Sequence, residues 1–142
     1  MPGHQKANIM VLNYKTAEKA LHAAKEKALS MNIPVSIAVV DTGGHLVALA
    51  RLDSVYGVID FAVKKAKTAV MFGVNSDIMG GIISETGVHG YGMLNSNEGL
   101  LTIAGGVVLK DTDGKIIGAI GSSGGTPEQD KEIARAGAQA IA

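Results

Sequence analysis

The chain has 142 residues with thirteen basic and thirteen acidic side chains, no cysteine, no tryptophan, three Tyr, two Phe and 19 glycines. That length suits one domain burying roughly two thirds of its unfolded surface, while balanced charge and scarce aromatics exclude the basic footprint and stacking platform of a nucleic-acid binder. Without cysteine there are no disulfides, thiolate metal sites or thiol nucleophiles, so any metal must be held by His, Asp or Glu.

Residues 1–10 have no apolar run behind a basic start and are expected to be disordered, His4 among them. No stretch of the chain approaches about 18 consecutive apolar residues, so a cytoplasmic protein without a membrane partner is expected. From Asn13 to Met31 apolar residues recur at three- and four-residue spacing (Ala17, Leu21, Ala24, Ala28, Met31), which predicts an amphipathic helix with Asn13 as N-cap. His22 falls off that stripe, between Glu18 and Glu26 at i−4 and i+4. Such a column has the donors for a metal ion, or the imidazole could ligate a haem iron; an ordinary solvated helix face also accounts for it.

After Pro34, VSIAVVD and HLVALARLD read as two strands around the turn Asp41-Thr42-Gly43-Gly44. Glycines leading into a strand make a hairpin rather than a phosphate cradle, which requires a helix N-terminus. Asp53 and Ser54 can cap a second helix, VIDFAVKKAKTAVMFG, striped by Ile59, Ala62, Ala66, Ala69 and Val70. Arg51, Asp53 and Lys65 are polar groups able to clamp a carboxylate and move a proton, or simply to pair at the surface.

Residues 75–101, with six glycines, predict a short helical turn followed by a long ordered loop, the kind of segment that lines sites and interfaces. Within it His89, Tyr91 and Met93 offer an imidazole, a ring and a thioether among glycines that allow close approach to a flat ligand. TIAGGVVLKD and KIIGAIGSSG then form a second hairpin around Thr112-Asp113-Gly114. It echoes the first at a shift of seventy residues, and shared turn rules explain the echo better than an internal repeat.

Residues 121–126, GSSGGT, join that strand to a last helix, a place where backbone amides of Ser122, Ser123 and Gly124 can bind an anion. Thr126-Pro127-Glu128-Gln129 has the signature of a capping box. The element order predicts a single α+β domain over residues 1–142, with an antiparallel sheet and helices against it. The HExxH signature of metallohydrolases is missing.

Taken together, VVDTGGHLVALARLD, IDFAVKKAKTA at 59–69 and AGGVVLKDTDGKIIGAIGSSGGTPEQDKEIARAGAQA at 104–140 resemble the family that includes HbpS-like haem-binding proteins, GlcG and the C-terminal domain of PduO-type cobalamin adenosyltransferases. The resemblance covers nearly the whole chain. It implies a central antiparallel sheet flanked by helices in a profilin-like layout, assembly into homo-oligomers, and binding of haem or a related tetrapyrrole, since some members bind or degrade haem. One departure is Gly105-Gly106-Val107-Val108 where members commonly carry Gly-Gly-x-Pro. The family motif does not fix the iron ligand, so His22 and His89 are candidates on the residue argument alone. The leading expectation is a non-catalytic haem binder whose groove involves the glycine-rich segment. The alternatives are an accessory protein or enzyme of small-metabolite or cobalamin-linked (diol or glycerol) metabolism, and a ligand-free assembly subunit.

Overall fold

The computed structural model describes residues 12–142, so His4 and the expected disorder of residues 1–10 lie outside the described residues. Helix α1, Tyr14–Met31, starts where Asn13 Oδ1 accepts the Thr16 amide at 2.8 Å, and ends at Asn32 in the left-handed region. Strands β1 (Ser36–Asp41) and β2 (Leu46–Arg51) follow, then α2 (Gly57–Phe72), α3 (Ser76–Thr86), the single turn α4 (Val88–Tyr91) and a 3₁₀ turn at Ser96–Glu98. Strands β3 (Gly106–Lys110) and β4 (Ile116–Ser123) and helix α5 (Pro127–Gln139) complete the chain.

The four strands form one antiparallel sheet in the order β2-β1-β4-β3. Alternation along β1 and β3 sends Ile37, Val39, Val107 and Leu109 to one face, where Ala17, Ala20, Ala24 and Ala28 of α1 and Ile133 and Ala134 of α5 cover them. The other face presents Val40, Val108 and Ala119 to Ala66 and Ala69 of α2. The fold is therefore an α+β sandwich of helix pair, sheet and helix.

Backbone approaches backbone under α2. Gly106 and Gly121 are cross-strand partners, and a Cβ on either would overlap a carbonyl of α2, that of Lys65 or of Ala62. The same holds on the opposite face, where a Cβ at Gly137 would come within 2.8 Å of the Ala20 carbonyl. This close contact explains why Ala20 is fully buried while Leu21, expected on the core stripe, is only half-buried.

Both hairpins are built alike. Asp41 Oδ1 accepts the amides of Gly43 and His45, Asp111 Oδ1 those of Asp113 and Lys115, and Gly44 and Gly114 take φ of 81° and 82°. Burial alone would raise the Asp41 carboxyl pKa, but the His45 and Gly43 amides and the His45 imidazole outweigh it and hold the group below its usual range. The likeness runs beyond the turn into the strands: Val39 pairs with Ala48 and Val40 with Leu46, as Leu109 does with Gly118 and Lys110 with Ile116, with a register shift between the two pairs in each hairpin. They take different places in the sheet: in the first hairpin the leading strand is central, whereas in the second it is the edge.

Two expectations are corrected. Ser54 does not cap α2: its hydroxyl bonds Ser36 Oγ at 2.7 Å in the interior, and the helix starts after Tyr56 without a side-chain cap. Residues 75–101 are more helical than expected, because glycine here serves packing. A Cβ at Gly80 would lie 2.7 Å from the Thr102 carbonyl and one at Gly90 would overlap Ile83, while Met79, Ile83 and Leu100 form a small core of their own.

Candidate functional site

A groove of 480 Å³ runs between the outward side of α1 and β2. Tyr14, Glu18, His22 and Lys25 line it at successive helical turns, with Lys15 and Lys19 beside them, and Leu21 and Ala50 supply apolar surface. Helical periodicity sets this arrangement: once the alanine stripe is committed to the core, the polar positions must face the groove. The His22 ring is exposed, and neither nitrogen is engaged by another described residue. Three lysines against one glutamate leave this groove cationic around a free imidazole.

The first-helix carboxylates do not join it as a metal site. Among the described residues no three His, Asp or Glu side chains converge on a point, and Glu18 instead accepts the Tyr14 hydroxyl at 3.3 Å. The expected metal set of Glu18, His22 and Glu26 is therefore a helix face with its charges spread out.

His89 is separated from His22 by the sheet. It sits exposed on α4, which packs on α3, while α1 lies on the opposite face. Tyr91 is exposed as well, but Met93 turns inward against Met79, Ile83 and Leu100. These three residues thus do not gather around one ligand, and the glycine-rich segment does not border the His22 groove within one chain.

Arg51 and Asp53 stay together, lining a 420 Å³ depression with Asn32 and Pro34. The Arg51 guanidinium donates to the Ser54 carbonyl at 3.2 and 3.0 Å and stacks 4.8 Å from the Tyr56 ring centre. Lys65 is elsewhere. Its ammonium is buried, 3.0 Å from both Asp130 Oδ2 and the Ser122 carbonyl, so it is neither a surface pair nor part of an Arg51–Asp53 site. Desolvation drives the Lys65 pKa down, and Asp130 restores only part of the shift.

The anion cradle expected at Ser122, Ser123 and Gly124 is closed by the chain itself. Ser122 and Ser123 are buried, Asp130 Oδ1 accepts the Gly125 amide at 2.9 Å, and the reciprocal Thr126–Gln129 bonds complete the capping box. The negative group at this helix N-terminus is Asp130, a partner 65 residues from Lys65 that no local sequence signal indicates. The groove lysines are more legible: Lys15, Lys19 and Lys25 flank His22 at helical spacing, which marks one face once the helix is accepted.

A sheet with helices on both faces and glycines under α2 matches a known family whose model, described as haem degrading protein HbpS-like, covers residues 12–139. The chain belongs to the HbpS-like family. A 15.0 kDa protein in the dhaT-dhaS intergenic region of Citrobacter freundii is 34% identical over 127 residues, covering 89% of each chain. The corrinoid adenosyltransferase PduO of Salmonella typhimurium is 31% identical over 142 residues, covering 99% of this chain and 42% of its own length. Among solved structures, a PduOC:haem complex superimposes with a TM-score of 0.84 at 28% identity, covering 93% of this chain and 96% of that one. Membership of the HbpS-like family agrees with the α+β sheet and with the resemblance carried by the glycine-bearing blocks. Among the described residues no helix is long and apolar enough to cross a membrane.

Proposed function

We propose that this chain is a small cytoplasmic protein that binds haem or a related tetrapyrrole in the α1–β2 groove, as part of a homo-oligomer. The observation that carries the reading is the placement of His22: an unengaged imidazole midway along a groove with apolar surface from Leu21 and Ala50 and cations at Lys15, Lys19 and Lys25. This donor set fits the group. His22 would hold the iron, the lysines would meet the propionates, and Tyr14 and Leu21 would shield part of the ring. Bound haem would bring a redox-active iron; the chain's own part is to orient the plane and balance its charge. The PduOC:haem complex supports the reading by likeness of fold. His89 has no such surroundings, and it is not assigned a ligand role.

Haemin titration followed by absorbance tests this on the wild type, His22→Ala and His89→Ala. A saturable Soret shift in the wild type and His89→Ala, abolished in His22→Ala, is the expected result. Weak unsaturable partitioning in all three would overturn it. The PduO relative favours a second reading, an accessory role in cobalamin-linked metabolism. Saturable binding of cobalamin in place of haemin in the same titration would select that reading.

A further inference from the structure

A second groove, of 400 Å³, lies at the opposite edge of the sheet, along β3. Its floor is Val107 and Val108, one wall is Val74, Asn75 and Ile78 between α2 and α3, and the other is Arg135, Ala138 and Gln139 of α5. The size is that of a small-ligand pocket, mostly apolar with few polar groups. Lys110 adds a second cation, and no acidic side chain lines the groove.

The charges around it are committed in a way that leaves these two cations over. On α5, Asp130 is paired with Lys65 and Glu132 with Lys27, while Asp77 in the first turn of α3 is paired with Lys131 at 2.8 Å. That last bridge ties α3 to α5, one helical turn before Arg135. Among the described residues, Arg135 and Lys110 have no carboxylate within ion-pair distance. Asn75 uses its Oδ1 to accept the Val108 amide at 3.1 Å, which leaves its NH₂ group to donate. Cations at the polar positions, amide donors beside them and valines beneath define the complement of an anionic head on an apolar body.

We propose that the β3-edge groove binds a small amphiphilic anion, with its carboxylate or phosphate head held by Arg135 and Lys110 and its hydrocarbon body over Val107, Val108 and Ile78. The site is independent of the His22 groove, which lies at the other edge of the sheet. Arg135 is exposed and has no ion-pair partner among the described residues, so it is the replacement that tests the site with least disturbance to the core.

The test uses ¹H–¹⁵N correlation spectra of the full chain titrated with hexanoate, hexyl phosphate and hexanol. Saturable shifts with hexanoate or hexyl phosphate, confined to residues 73–78, 107–110 and 135–142, are expected, with hexanol weaker by about tenfold or more, because the head group's charge-assisted bonds supply the difference. The two anions separate carboxylate from phosphate preference. Arg135→Gln should weaken the preferred anion by about tenfold, while leaving the haemin titration unchanged. Equal binding of hexanol and the anions, shifts scattered over the surface, or an unaltered affinity in Arg135→Gln would overturn the proposal, and none of these bears on whether His22 binds haem.

Discussion

Lys65 shows how a single residue can be misplaced by reasoning from its own neighbourhood. In sequence it follows Lys64 on a helix whose other face is polar, and a solvent-exposed ammonium is the natural expectation. In the fold it passes the end of β4 and reaches Asp130 on α5, joining the helix on one face of the sheet to a helix on the other. Removing one member of such a pair leaves the other buried and uncompensated. Lys65→Met is therefore expected to lower stability by about 3 kcal/mol in urea denaturation at neutral pH, and a double replacement with Asp130→Leu should recover part of that loss. The depressed Lys65 pKa adds a pH signature. Between that value and the ordinary 10.5 the unfolded chain binds more protons than the folded one, so this group's contribution to stability rises with pH across that window and is level above it. The difference in unfolding free energy between wild type and Lys65→Met should widen accordingly as the pH is raised, and a constant difference would contradict the assignment.

At the scale of elements, glycine divides into two roles. At Gly121 the backbone angle is ordinary and the need is steric: the Ala62 carbonyl of α2 occupies the space of a side chain. Gly81 lies within α3 with no neighbour inside 4 Å of the place a methyl would take, so its cost is the conformational entropy of a helical glycine. Gly121→Ala is expected to destabilise by about 2 kcal/mol or more as α2 is pushed off the sheet, whereas Gly81→Ala should stabilise by about 0.5 kcal/mol. Thermal unfolding of the two variants checks both signs. The opposite signs explain why composition misleads over residues 75–101: it counts glycines alike, and only packing distinguishes a breaker from a contact point. The helices with coded ends are legible, because the Asn13 cap and the Thr126 capping box are formed by residues adjacent in sequence.

For the whole molecule, the two sheet edges are treated differently. Along β3, Asn75 Oδ1 takes the Val108 amide and Ser76 Oγ the Gly106 amide, so α3 caps that edge. The β2 edge has no such cover among the described residues, and Leu46 and Leu49 on it are 51% and 42% exposed. An edge with open backbone groups and exposed leucines is the kind of surface through which copies can pair, and the proposed homo-oligomer is expected to use it. Sedimentation should therefore show an oligomer that Leu49→Lys shifts toward the monomer, with the secondary structure unchanged in circular dichroism. An oligomer indifferent to this substitution would place the contact on another face.

By itself the sequence determined the elements whose signals are local: the alanine stripe and cap of α1, the two Asp-Gly turns and the capping box of α5. Periodicity and turn chemistry act over a few residues, so they can be read without knowing what packs where. Only the tertiary structure decided the partner of Lys65, the burial of Ser122 and Ser123, the inward turn of Met93, and the separation of His22 from His89. Those depend on which segments the sheet brings together, and the order β2-β1-β4-β3 places α1 and the glycine-rich segment on opposite faces, a relation that follows from burying two apolar faces at once and that no short stretch of the chain encodes.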